Sequence, residues 1–155
     1  MLTIELDATD RKILSLLQAD GRITNTELSE RVNLSASACL RRVQRLEDIG
    51  VIEGYSARLS RAAIGRPTMV FVEISLQSQA EDALDAFEAG VRACPEILEC
   101  HLMAGQADYL LKVAVADTAD FARIHRESLA RLPGVRQLHT SFALRTIVAD
   151  AAMPL

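Results

Sequence analysis

The run Thr24-Asn25-Thr26-Glu27-Leu28-Ser29-Glu30-Arg31-Val32-Asn33-Leu34-Ser35-Ala36-Ser37-Ala38-Cys39-Leu40-Arg41-Arg42-Val43-Gln44-Arg45-Leu46 holds two helix starts eleven residues apart with a turn between them. Thr24 and Glu27 can satisfy each other's backbone N–H groups as a capping box. Leu28 and Val32, four apart, then give the first helix its buried stripe. Asn33 falls where the chain must turn, and Asn tolerates a positive φ better than other residues with a Cβ. Ser35 caps the next helix, along which Leu40, Val43, Leu46 and Ile49 recur at three-residue spacing until Gly50, an expected left-handed stop. This pattern predicts a helix-turn-helix. Its second helix presents Arg41, Gln44 and Arg45 on one side and apolar residues on another, a division suited to a DNA groove.

Upstream, Asp7 caps a first helix with Asp10 in its opening turn, and Ile13, Leu14 and Leu17 form its apolar face before Asp20-Gly21 ends it. Downstream, the run from Val51 to Leu59 reads as a strand, which would make the module a winged one. Charge tempers the affinity expected of one copy. Residues 1–60 carry eight basic and nine acidic side chains, a net of about −1, within a chain of net charge −4. Phosphate attraction supplies most non-specific affinity, so one module should bind weakly and need a partner copy.

Half of the 155 residues are apolar, enough for two modest cores. No run approaches the roughly 18–20 apolar residues of a membrane span, and the first residues lack a basic region followed by an apolar one, so a cytoplasmic protein is expected. Cys39, Cys94 and Cys100 are odd in number and none is spaced C-x-x-C; all three are read as buried thiols, with no metal site.

Helical periodicity stops at Ser60 to Pro67, which is read as a linker between residues 1–59 and residues 68–155. Met69 to Leu76 alternates, setting Val70, Val72, Ile74 and Leu76 against Phe71, Glu73 and Ser75: a strand with one well-buried face. Ala80 to Ala93 is helical, Ile97 to Met103 and Tyr109 to Val115 form a hairpin around Gly105, and Asp117 caps a second helix with Phe121, Ile124, Leu129 and Leu132 as its stripe. Val135 to Val148 closes as a long strand. The order β-α-β-β-α-β predicts an α+β, ferredoxin-like module with both helices on one face of an antiparallel sheet. Apolar residues on the other face, Phe71 and Leu110 among them, predict that a second subunit covers it.

The segments Leu6-Asp7-Ala8-Thr9-Asp10-Arg11-Lys12-Ile13-Leu14, Asp20-Gly21-Arg22-Ile23, Cys39-Leu40-Arg41-Arg42-Val43, Gly50-Val51-Ile52, Glu99-Cys100-His101, Asp108-Tyr109-Leu110-Leu111 and Leu132-Pro133-Gly134-Val135, in this two-module order, resemble the Lrp/AsnC transcriptional regulators over nearly the whole chain. The resemblance implies paired helix-turn-helix modules on double-stranded DNA, a homodimer assembling to an octamer, and an amino-acid effector sensed by the second module, with no cofactor. It carries Ser35, Ser37, Arg41, Arg42 and Arg45 toward DNA, with Arg41 as the base-reading residue and Arg42 shared between DNA contact and bracing of the module. Arg suits guanine because its planar fork matches O6 and N7.

The same resemblance places the effector at the hairpin loop, on Met103, Gly105, Gln106, Ala107, Asp108 and Tyr109. Thr140, Ser141 and Phe142 would approach from the last strand with hydroxyls and an apolar wall. The family pattern Gly-Asp-x-Asp-Tyr reads Gly105-Gln106-Ala107-Asp108-Tyr109 here, an amide replacing one carboxylate, which bears on the identity of the ligand. Asp108 is read either as an acceptor for the ligand ammonium or as the acceptor of a tight turn. Catalytic constellations are lacking: His101, His125 and His139 are dispersed, and Cys100 and His101 point to opposite faces of a strand. Two other functions fit the architecture. One is an enzyme resembling sirohaem decarboxylases; the other is a DNA-architectural protein that needs no effector.

Overall fold

The computed structural model describes residues 5–155, so the first four residues of the expected first module lie outside it. Residues up to Ala57 form one compact unit, which also takes in Val148–Leu155; Arg58–Ile147 form another.

The first unit has three helices: α1 (Ala8–Ala19), α2 (Asn25–Arg31) and α3 (Ala36–Asp48). Each begins where a short polar side chain can accept a backbone N–H. Asp7 and Asp10 form a reciprocal box at α1, Thr24 and Glu27 another at α2, and Ser35 Oγ accepts from Ala38 N at 3.2 Å. Asn33 turns the chain with φ 57°, and Gly50 ends α3 with φ 73°. Ile13, Leu14, Leu28, Val32, Cys39 and Leu46 make the core.

Three expectations are corrected here. Leu40 is 45 % exposed and Ile49 40 % exposed, and Cys39 with Leu46 holds the buried side of α3. Residues 51–59 contain no strand, because no neighbouring segment offers them a ladder. Of the cysteines Cys39 alone is buried; Cys94 and Cys100 are half-buried.

The second unit is a four-stranded antiparallel sheet of β1 (Thr68–Leu76), β2 (Ile97–Leu102), β3 (Tyr109–Val115) and β4 (Val135–Phe142), in the order β2-β3-β1-β4. Helices α4 (Glu81–Arg92) and α5 (Thr118–Glu127) share one core with Val70, Val72, Ile74, Leu111, Val113 and Val115, so both cover the same face. The expected strand to Val148 stops at Phe142, opposite Val70; Ala143 N–H to Met69 O (2.9 Å) is the closing bond. Helix α5 likewise ends at Glu127, and Leu129 is buried from a single 3₁₀ turn, Leu129–Arg131. The opposite face stays open along Phe71, Glu73, Leu110, Lys112, His139 and Ser141, with Phe71 and Leu110 facing outward as expected.

Candidate functional site

In the first unit, α3 sorts its arginines. Asp10 is 1 % exposed, yet it is a carboxylate in the first turn of α1. Burying it requires compensating charge. Arg42 Nη1 donates to Asp10 Oδ1 at 2.8 Å and to Asp7 Oδ2 at 2.7 Å, and Arg45 Nη2 donates to Asp10 Oδ2 at 2.7 Å. The Asp10 backbone N–H and then the Arg42 guanidinium hold the Asp7 carboxyl below its usual range. Two of the five expected DNA-facing residues therefore pin α3 to the start of α1. The surrounding concavity, about 920 Å³, mixes these acids and bases, so its charges largely cancel.

Arg41 differs. It is exposed and makes no ion pair or hydrogen bond with another described residue. With about 100° per residue, Ser37, Arg41 and Gln44 lie together on the side of α3 opposite Cys39 and Leu46. Ser35 is engaged as the cap, and its Oγ lies 3.3 Å from Ser37 Oγ. The Asn25 side chain donates to the Ala36 carbonyl at 2.9 Å, tying the start of α3 to α2.

In the second unit, the loop between β2 and β3 is closed by Met103 N–H to the Asp108 carbonyl, 2.8 Å. The Asp108 carboxylate ties the loop to the end of β1 and the residues after it: Oδ2 takes the Leu76 N–H at 2.7 Å and Oδ1 the Gln79 side-chain amide at 2.6 Å. Beside this loop lie two adjoining cavities that share Glu73, Gln106 and Ala107. One, about 150 Å³, adds Met103, Ala104, Gly105 and Leu110; the other, about 460 Å³, adds Ser75, Arg136, Gln137, His139, Thr140 and Ser141. A Cβ on Gly105 would meet nothing within 4 Å, so the loop is open at this position.

Strand parity sets three expected ligand residues on the helical side of the sheet. Tyr109 is 1 % exposed and stacks against Phe87 on the helical side, its hydroxyl donating to Glu88 Oε1 at 3.0 Å. Burial, with Glu88 second, pushes its phenol up to about 12. Phe142 pairs with Val70 and packs edge-on against Phe121 of α5, while Thr140 pairs with Val72, so both belong to the helical face, although Thr140 still borders the larger cavity. Ser141 alone of that trio shares the open face with Phe71.

Reading the sequence missed Glu73, Arg136 and His139 as cavity residues. Glu73 was legible as the one charge within Thr68–Leu76; it makes no hydrogen bond or ion pair with another described residue. Among the described residues no helix is long and apolar enough to cross a membrane and no group of His, Cys, Asp or Glu could hold a metal ion.

Residues 6–53 match the family model described as winged helix-turn-helix DNA-binding, and residues 69–153 match the Lrp/AsnC ligand binding domain. The chain is 46 % identical over 143 residues to the leucine-responsive regulatory proteins of Escherichia coli K12 and Salmonella typhimurium, covering 92 % of this chain and 87 % of each of those. A transcriptional regulator of Neisseria meningitidis solved as its L-Met complex superposes with a TM-score of 0.91 at 41 % identity, covering 97 % of both chains. An AsnC family regulator of Agrobacterium tumefaciens gives 0.91 at 34 % identity, covering 96 % of this chain and 97 % of that one.

Proposed function

This chain belongs to the Lrp/AsnC family of DNA-binding transcriptional regulators, and from that premise we propose how its residues divide the task. The exposed side of α3 reads DNA: Arg41 contacts a base in the major groove, Gln44 and Ser37 flank it, and Ser35 and Ser37 at the helix start meet a phosphate. Arg42 and Arg45 serve chiefly as braces. The observation that carries this division is that Asp7 and Asp10 hold Arg42 and Arg45, whereas Arg41 has no partner among the described residues.

The second unit takes an amino acid at the loop cavity. A zwitterion needs an acceptor for its ammonium, a donor for its carboxylate and a wall for its side chain. Glu73, Arg136 and the pair Met103 and Leu110 meet those needs around Gly105, Gln106 and Ala107. Asp108 shapes the loop from behind, since both its oxygens already accept hydrogen bonds. Support for this chemistry comes from the Neisseria relative, solved with L-methionine. The relatives are regulators, and neither the decarboxylase-like reading nor the effector-independent one gains support from them. We take the chain to be a cytoplasmic, non-catalytic homodimer, joined through the open sheet face and assembling further to an octamer.

The test is titration of the protein's own upstream DNA with and without L-leucine and L-methionine. Affinity or footprint should change with at least one of them, and reciprocally DNA should change that amino acid's affinity. No binding above random DNA overturns the DNA reading; binding indifferent to all twenty amino acids overturns the sensing reading.

A further inference from the structure

On the first unit, away from the exposed side of α3, lies an apolar groove. Leu14 and Leu17 of α1 line it with Val51, Ile52 and Tyr55, and its volume is about 480 Å³. Met153 and Leu155 border it. They belong to the segment Val148–Leu155, which follows β4 in sequence yet packs with the three helices.

What fixes the segment is a paired contact at α1. Gln18 Nε2 donates to the Met153 carbonyl at 3.1 Å, and the Met153 N–H donates to Gln18 Oε1 at 2.6 Å. A side-chain amide here copies the two-bond exchange between facing residues of an antiparallel ladder. Such a contact needs an extended segment with both its N–H and its C=O turned to one side. It recognises backbone: Met153 as a residue remains 74 % exposed. With two hydrogen bonds open to water and little apolar surface covered, the contact is specific in geometry and easily released.

We propose that residues 148–155 are a releasable strap, docked in the α1 groove of its own chain by Gln18, which gives the DNA-reading unit a second covalent connection to the effector unit. The first connection is the stretch after Ala57; the second leaves from β4, the strand that brings His139 and Ser141 to the larger cavity. Ser37, Arg41 and Gln44 are not part of the groove, so strap and DNA do not compete. The link to effector binding rests on the proposed function above; the docking itself does not.

Hydrogen exchange on the full-length protein tests the docking without DNA or ligand. The Met153 amide should exchange at least about tenfold more slowly than an unstructured amide. Gln18→Ala should bring it to the unstructured rate while amides in the middle of α1 keep their protection. Gln18→Glu retains an acceptor for the Met153 N–H but loses the donor, and should leave intermediate protection. Unprotected Met153 in the unaltered protein, or equal protection in Gln18→Ala, overturns the proposal. With Gln18→Cys and Met153→Cys in one chain, a short bis-maleimide should yield a chain linked to itself; a covalent dimer through those positions overturns the assignment to its own chain.

Discussion

Removing the Asp10 carboxylate separates bracing from reading most cleanly. In Asp10→Ala, Arg42 and Arg45 each lose a charge-assisted bond of 2.7–2.8 Å, and the Asp7 N–H loses an acceptor at 3.3 Å. Breaking a fully buried ion pair costs about 3–5 kcal/mol because a charge is left stranded in a low dielectric. Here the arginine side chains are 35 % and 48 % exposed and can turn to water, so each contact should contribute roughly 0.5–1 kcal/mol. The cap acceptor adds about 0.5 kcal/mol. The expected loss is therefore about 2 kcal/mol, which for a unit of this size lowers its melting temperature by on the order of 10 °C. Asp10→Asn should cost as much, because an amide presents an N–H to one of the two guanidinium groups. Circular dichroism melts supply the stability, and fluorescence anisotropy supplies DNA binding at low and moderate salt. Releasing Arg45, with Arg42 left on Asp7 alone, should raise affinity for random DNA while the loosened α3 lowers affinity for the specific site. A melting point unchanged within experimental error, or equal losses on both DNAs, would refute the bracing argument.

The other expectations each isolate one contact. Arg41→Ala should weaken specific binding by about 1–3 kcal/mol with a smaller effect on random DNA, measured by competition titration; equal losses would reassign Arg41 to phosphate. Glu73→Gln should weaken binding of an amino acid, read by calorimetry, about tenfold or more without lowering the melting temperature, because the side chain is exposed and has no partner among the described residues. Phe71→Glu puts a charge on the open sheet face at a residue 36 % exposed, so light scattering should show dissociation to monomers without unfolding. Tyr109 ties stability to alkaline pH. Its folded pKa, up to about 12, exceeds the unfolded value near 10, so the unfolded chain releases its proton first and stability falls by about 1.4 kcal/mol per unit between those values. Denaturant melts from pH 9 upward check this, and Tyr109→Phe should flatten the decline.

Helix starts were legible because each is a local contract. Asp7, Thr24, Ser35 and Asp117 satisfy donors within three residues, and Asn33 and Gly50 supply left-handed backbone at the stops. The misplacement of Leu40 has a geometric cause. A three-residue row slips about 60° per step, so Leu40 stands about 120° from Leu46, whereas Cys39, seven residues back, is displaced by about 20°. Two strand ends were illegible for another reason: a strand requires a neighbour. Residues 51–59 have none among the described residues, and the β4 pairing with β1 stops at Phe142, opposite Val70. The parity of β4 was equally hidden. Its sequence, Val-Arg-Gln-Leu-His-Thr-Ser-Phe, carries little alternation, and a shift at Ser75/Leu76 offsets it, so the pairing with β1 rather than local pattern assigns Phe142 and Thr140 to the helices. Asp108 was ambiguous because its partners, Leu76 and Gln79, lie about thirty residues upstream.

The division among the arginines also explains why one module should not suffice. Arg42 and Arg45 are neutralised by Asp7 and Asp10, and the end of α3 carries Glu47 and Asp48, so its electrostatic attraction to a duplex is small. Freeing those arginines would strengthen attachment to any phosphate backbone, but α3 would lose the anchor that aims Arg41. The sequence has traded indiscriminate attraction for a fixed helix. A weak, well-aimed reader gains affinity from a second copy held at the correct spacing, because the second contact then forms at high effective concentration. The open sheet face, with Phe71 and Leu110 outward, is the surface proposed above to hold that copy. Any amino acid that alters how two copies are joined thereby alters DNA binding without touching α3, which is the form of coupling a regulator of this architecture requires.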